Sequence, residues 1–226
     1  MKNLKYFLEF IIIVVFFLIF KIIGYKIASN FGNLIGKIVG PRFRSKKIIA
    51  NNIKNLRPSI KNDEINIMIK KMWGNYGRIL AEYPHIPNFR NKKLEKYLKI
   101  EGLENLKKIK KSGKPTLFIS GHFNNFELMA MVIEREGVDL SAVYRPLNNK
   151  FLNIIMEFLR KNYICKTQIK KGLKGVRKAL TYFKKGKSLA IMIDQRVSEG
   201  IDVEFFGKNA FTTTIPAQFV KKFGCV

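Results

Sequence analysis

Apolar positions change rhythm twice along this chain. From Leu4 to Ile23 they are nearly continuous, and Phe10–Phe20 is an unbroken apolar run, extended across Glu9 by Tyr6, Phe7 and Leu8. Twenty residues of helix span about 30 Å, one hydrocarbon core. Glu9 and Lys21 stand near the two ends, where a carboxylate reaches the interface and a lysine snorkels to it. The pattern predicts a transmembrane anchor over residues 1–25. A cleaved signal peptide shares the basic start and the apolar centre. No convincing small-residue cleavage site follows, Ile27-Ala28-Ser29-Asn30 being a poor one.

Residues 26–95 carry helical spacing. Ile27, Phe31, Leu34, Ile35 and Ile38 form an amphipathic face ending at Gly40-Pro41, and Ser45–Leu56 reads as a basic helix closed by Arg57-Pro58. Asn62 is expected to cap a third helix with Asp63 and Glu64 in its first turn, running through Ile67, Met68, Met72, Tyr76 and Ile79 toward Pro84. Trp73 and Tyr76 suit either a membrane interface or a packed core. His85, between two prolines, is expected in a loop.

From Tyr97 strands and helices alternate. The pattern predicts strands at Tyr97–Ile100, Thr116–Ser120, Leu140–Tyr144 and Ser188–Ile193. It predicts helices at Leu103–Lys111, Phe126–Glu136, Lys150–Lys161, with Phe151, Ile154, Ile155 and Phe158 inward, and Leu173–Lys184. This is an α/β arrangement, a mostly parallel central sheet flanked by helices over residues 96–226. Ligands of such sheets bind beyond the carboxyl ends of the strands, and His122, Arg145 and Asp194 each stand just past one.

Charge adds a partner class. The 226 residues hold 43 Lys+Arg against 16 Asp+Glu, a formal net charge of +27. An anionic membrane face, an acidic protein or lipid, or a nucleic acid would suit it, although Lys, Asn and Ile abundance also fits compositional bias. Lys2 and Lys5 precede the apolar run, whereas Lys21, Lys26, Lys37, Arg42, Arg44, Lys46 and Lys47 follow it. The positive-inside rule therefore puts the bulk of the chain on the cytoplasmic side. Cys165 and Cys225 are far apart and, with only His85 and His122 besides, make no zinc spacing. Lys170-Lys171-Gly172-Leu173-Lys174-Gly175 lacks the spacing of a phosphate loop.

The chemistry concentrates at Gly121-His122-Phe123-Asn124-Asn125-Phe126-Glu127, where a strand hands over to a helix. Five helical positions rotate about 500°, so two helical residues at that spacing face apart. With His122 in the preceding turn and only Glu127 helical, the two side chains can converge. A carboxylate on one ring nitrogen fixes the tautomer and leaves the other as a base toward a hydroxyl. The plainer alternative is a histidine satisfied by a backbone carbonyl beside a solvated glutamate.

Further segments join this one: Tyr144-Arg145-Pro146, Arg160, Asp194-Gln195, Val203-Glu204-Phe205-Phe206-Gly207 and Ala210-Phe211-Thr212-Thr213. In this order, with Gly-His-x4-Glu, they resemble the lipid A biosynthesis acyltransferases, the lauroyl/myristoyl transferases of Gram-negative bacteria. The resemblance covers nearly the whole chain. It implies acyl transfer from an acyl-acyl carrier protein to a hydroxyl of a lipid A precursor, at the cytoplasmic face of the inner membrane, from a single-pass anchor. His122 then corresponds to the general base and Glu127 to its partner carboxylate, and Arg160 and Asp194 match a further Arg and Asp implicated in activity. Substrate binding is assigned to Arg145 and, in the same segments, to Asn125, Asn148 and Gln195. A thioester is already activated, so no metal or other cofactor is expected. Acyl carrier protein is the expected partner, with acyl-coenzyme A left open as donor. The tetrahedral oxyanion would need donors, for which amides near Asn124 are candidates.

The family continues for several dozen residues beyond the segment like Ile215-Pro216-Ala217-Gln218-Phe219, so the resemblance implies a C-terminally truncated chain that ends, at Gly224-Cys225-Val226, at the start of a strand. Two other readings remain. Glycerolipid acyltransferases use a similar His-x4-acid pair, usually with Asp, but Glu127 and the Tyr144-Arg145-Pro146 segment favour the lipid A group. A membrane-anchored basic nucleic-acid-binding protein would need stacking aromatics interleaved with base-reading residues. None are found, so no nucleic-acid partner is expected. Acyl-chain length, acceptor hydroxyl and oligomeric state are left open.

Overall fold

The computed structural model describes residues 2–225. Met1 and Val226, the outer bounds of the anchor and core segments expected above, lie outside the described residues. The chain divides into two compact units. Ile11–His85 forms one, and the described residues outside that range form the other. The break falls ahead of the boundary expected at 95/96, and the first helix contributes to both units.

That helix, α1 (Lys2–Ile23), is the one described helix long and apolar enough to cross a membrane, with a mean hydropathy of 2.7. Gly24, at φ 81°, separates it from α2 (Tyr25–Val39). In the first unit α2 lies against α4 (Asn62–Glu82), with α3 (Lys46–Leu56) between them in sequence. The α2–α4 contact is made by small residues. A Cβ at Gly32 or Gly36 would overlap the backbone carbonyls of Gly77 or Trp73. The buried side of α2 is accordingly Ala28, Ser29, Gly32 and Gly36, and its apolar stripe Ile27, Phe31, Leu34 and Ile38 faces outward. Ser29 donates to buried Glu82 at 2.7 Å, and Arg78 bonds Ser29 and Asn30. Lys61, not Asn62, occupies the N-cap of α4, while Asp63 and Glu64 fill its first turn as expected. His85 is buried in a short 3-10 turn, where burial lowers its pKa, and its Nε2 meets the Phe20 carbonyl at 2.9 Å. Trp73 packs between Phe43 and Tyr76, tilted to both rings.

The second unit opens with α5 (Ile86–Arg90) and α6 (Leu103–Ser112). No strand forms at Tyr97–Ile100; Leu98 is extended but pairs with nothing in a sheet. Then come β1 (Leu117–Ser120), α7 (Glu127–Arg135), β2 (Leu140–Tyr144), α8 (Lys150–Leu159), β3 (Thr167–Lys170), α9 (Leu173–Lys184) and β4 (Ser188–Met192). The four strands are all parallel, in the order β1-β4-β2-β3, as the alternation predicts for an α/β sheet flanked by helices. Leu117, Ile169 and Leu189 project toward α9 and toward α10 (Ile215–Phe223), where Phe183 and Phe219 meet edge to face at 5.2 Å. A separate antiparallel hairpin, β5 (Ile201–Phe205) and β6 (Lys208–Thr212), turns on Phe206 and Gly207, both at positive φ. The chain after α10 passes through Gly224 in the left-handed region, and Cys225 lies in no strand.

Candidate active site

β1 and β4 are neighbours in register, Ser120 opposite Met192. His122 and Asp194 each lie two residues past that pair, so the same sheet edge delivers both. Asp194 uses both oxygens. Oδ2 accepts the His122 backbone N–H at 2.8 Å, and Oδ1 lies 2.8 Å from the ring Nδ1. Burial alone would raise the Asp194 pKa, but the two hydrogen bonds and the attraction of His122 outweigh it and hold the carboxyl below its ordinary value. An ionised carboxylate only accepts, so Nδ1 carries the proton, and in the neutral ring the lone pair is on Nε2. Phe126 closes one side of the imidazole edge to face at 4.7 Å, and Phe123, 78 % exposed, stands at the rim. Gly121 is required by this closeness, because a Cβ there would meet the Phe123 ring at 2.8 Å and Asp194 Cγ at 3.2 Å.

The expected pairing of Glu127 with the imidazole is therefore corrected: the ring's carboxylate is Asp194. Glu127 is buried in the first turn of α7, where the helix dipole favours a negative charge, and its Oε1 accepts from Arg160 Nε at 2.8 Å and Nη2 at 2.6 Å. The reason is backbone geometry. Asn124, at φ 43°, makes a turn between His122 and α7, and the ring follows the strand edge while Glu127 follows the helix.

Arg160 begins a π-helical turn, Arg160–Ile164, that continues α8, where the expected helix ends at Lys161. Its guanidinium lies over the Tyr144 ring at 5.5 Å, and Tyr144 donates its hydroxyl to Glu157 at 2.7 Å. Asn153 and Lys170 also reach Glu157, at 2.9 and 3.1 Å. The Tyr144 hydrogen bond first, helped by Asn153 and Lys170 against the opposing effect of burial, brings the Glu157 carboxyl down to about 2. Burial chiefly, with the Glu157 hydrogen bond and charge, raises the Tyr144 phenol. A chain of contacts thus runs Glu127, Arg160, Tyr144, Glu157. Glu157 is not among the residues singled out from the sequence, although a lone acid in the otherwise apolar turn Ile154-Ile155-Met156-Glu157-Phe158 is a usable signal. Within α8, Ile154 and Phe158 point outward, against expectation, and Met156 is the buried residue.

The four residues assigned to substrate binding are distributed differently. Arg145 and Gln195 are exposed past the ends of β2 and β4, on the same sheet edge as His122. Asn125 lies in the turn before α7. Asn148 is exposed, and its neighbour Asn149 holds the structural role: its Oδ1 accepts from the Phe151 and Leu152 amides as the N-cap of α8, and its Nδ2 donates to Tyr6 O and Glu9. Of the amides in the turn, those of Phe123 and Phe126 are used by Gly121 O and Asn124 O. The Asn124 amide has no acceptor among the described residues.

Comparison with known proteins places this arrangement. The chain is 27% identical over 177 residues to the lipid A biosynthesis palmitoleoyltransferase of Escherichia coli (strain K12), covering 76% of this chain and 55% of that protein. The lipid A biosynthesis acyltransferase of Shigella flexneri matches to the same extent, so the chain spans about half the length of the curated relatives it matches. The family model described as bacterial lipid A biosynthesis acyltransferase matches residues 1–226, and the chain belongs to that family.

Proposed function

We propose that this chain carries the acyl-transfer site of a lipid A acyltransferase, moving a fatty acyl group from an acyl thioester to a hydroxyl of a lipid A precursor. One observation carries the reading: an imidazole at the carboxyl edge of a parallel sheet has Nδ1 held by a carboxylate and Nε2 free. His122 Nε2 takes the proton of the acceptor hydroxyl, whose oxygen attacks the thioester carbonyl. The tetrahedral intermediate then collapses with loss of the thiolate, which recovers the proton from the imidazolium. Asp194 sets the tautomer and stabilises the imidazolium. The Asn124 amide, two residues along the turn from His122, is the candidate donor to the oxyanion.

Arg145, on the exposed edge, supplies a guanidinium fork for phosphate groups of the acceptor or of the donor arm, while Arg160, with Nε and Nη2 both on Glu127 and its guanidinium over the Tyr144 ring, acts as a positioning residue. The donor is acyl carrier protein, an acidic partner suited to a strongly basic chain. The work is done at the cytoplasmic leaflet of the inner membrane. The test is mass spectrometry of lipid A from a strain lacking this gene, complemented by the wild type or by His122→Ala. The wild type adds one acyl chain and His122→Ala adds none, at equal membrane content. Restoration of the acylated species by His122→Ala would remove the base from the mechanism.

A further inference from the structure

Basic residues are concentrated in one stretch of the α/β unit. Nine of residues 166–187 are Lys or Arg, and none is Asp or Glu. The parallel topology sorts them between the two edges of the sheet. Lys166, Lys184, Lys185 and Lys187 lie toward the amino edge, where Asp139 takes Lys187. At the carboxyl edge, the edge of His122, Lys170 ends β3 and reaches Glu157 at 3.1 Å. Lys171 and, in the first half of α9, Lys174, Arg177 and Lys178 remain. All four are exposed, and none makes an ion pair with an acid among the described residues. The other basic run, 107–114, leads into the amino end of β1 and so lies at the edge opposite His122.

Backbone contacts hold this ridge in place. The Lys171 amide donates to the Tyr144 carbonyl at 2.8 Å, joining the end of β3 to the end of β2. A Cβ at Gly175 would overlap the Lys170 carbonyl, so the first turn of α9 sits directly on the strand end. Between Lys171 and Lys174, Leu173 is 73 % exposed. An exposed apolar side chain among unpaired cations suits an acidic protein partner. Distance favours a particular one. In the order β1-β4-β2-β3, three strand spacings separate the ends of β1 and β3, so Lys171 is about 14 Å across the edge from His122. A phosphopantetheine arm has about thirteen bonds from phosphorus to sulfur, as many as about four residues of backbone, and extended it spans about 15 Å.

We propose that Lys171, Leu173, Lys174, Arg177 and Lys178 form the docking surface for the acidic carrier protein that bears the acyl thioester. The phosphate of the arm meets Lys171, which leaves Arg145 for the acceptor. The arm then runs past the ends of β2 and β4 and presents the thioester carbonyl at His122. This rests on the acyl-transfer reading and adds the place where the donor lands.

The experiment gives the full chain, in detergent, the same acyl group on two donors: acyl carrier protein and free phosphopantetheine. Lys174→Glu/Arg177→Glu reverses the ridge, and Lys107→Glu/Lys108→Glu makes the same charge change on α6; all four positions are exposed. The ridge variant should raise KM for the carrier-borne donor about tenfold or more, with kcat and the free-donor KM within about twofold of wild type. The α6 variant should stay within about twofold for both donors. Anisotropy of fluorescently labelled carrier protein reads the surface without turnover, and its Kd should weaken about tenfold in the ridge variant alone. An unchanged carrier Kd and KM in the ridge variant, or an equal loss in the α6 variant, overturns the docking surface and leaves acyl transfer standing. A ridge variant that loses binding to anionic vesicles but keeps carrier binding assigns the ridge to lipid and also overturns it. Wild type that binds the carrier through the ridge yet transfers from neither donor keeps the docking surface and refutes the acyl-transfer reading.

Discussion

Replacing Asp194 by Asn tests the site with little change in shape. The His122 backbone N–H can only donate, so the new amide must turn its oxygen toward that group, where Asp194 Oδ2 now sits at 2.8 Å. The amide NH2 then faces Nδ1 in place of Oδ1, also at 2.8 Å in the wild type. Nδ1 can satisfy that donor only by giving up its proton, which moves to Nε2. The base is gone, although every hydrogen bond is still made. Restoring the active tautomer would oppose two N–H donors, at about 2–4 kcal/mol for a lost hydrogen bond and an unsatisfied polar group. At about 1.4 kcal/mol per decade this is roughly 30- to 1000-fold. The imidazolium also loses its counter-charge, which brings the expected fall in transfer rate to the order of 10³- to 10⁴-fold.

Single-turnover transfer of a labelled acyl chain to a lipid A precursor measures the rate. Nitrogen-15 NMR of labelled histidine reads the tautomer directly, because the chain contains 2 His. His85, with Nε2 on the Phe20 carbonyl, is an internal standard for the Nε2–H form. Wild-type His122 is expected as Nδ1–H and the Asp194→Asn variant as Nε2–H. A variant within about threefold of wild type, or an unchanged His122 tautomer, refutes Asp194 as the group that orients the ring. The pH sign is also fixed. The Asp194 carboxyl is lowered on folding, so its contribution to stability is present above the ordinary carboxylate pKa and is lost as pH falls through the depressed one.

Glu127→Gln leaves the Arg160 guanidinium buried without its counter-charge and should cost about 3 kcal/mol, seen as a lower melting temperature in detergent, while the His122 tautomer stays Nδ1–H. Movement of the tautomer in that variant would return Glu127 to the ring. Glu157→Gln keeps an acceptor for Tyr144 but loses charge assistance, so it should destabilise by about 1 kcal/mol at neutral pH. Because the Glu157 carboxyl is lowered to about 2, that difference should be fully present above about pH 4.5 and shrink as pH falls toward 2. A difference constant across the acid range in denaturation experiments would separate Glu157 from this network.

Local periodicity carries far in this chain because it is a property of neighbouring residues. Thr116–Ser120 and the helical spacing after Asn124 are enough to put His122 at a strand-to-helix handover, and the same reasoning puts Asp194 past the end of a strand. What periodicity cannot supply is the order of strands. β4 inserts between β1 and β2, so the strand end adjoining His122 belongs to a residue 72 positions away. Sequence spacing instead favours Glu127, the carboxylate within reach along the chain, and Asn124 at positive φ turns that carboxylate toward Arg160. The missed elements have the same kind of cause. β3 has one buried apolar residue, Ile169, and is an edge strand; Tyr97–Ile100 has strand-like residues and no neighbour to pair with. In each case the deciding partner is non-local, and the residue type at the site itself is compatible with either outcome.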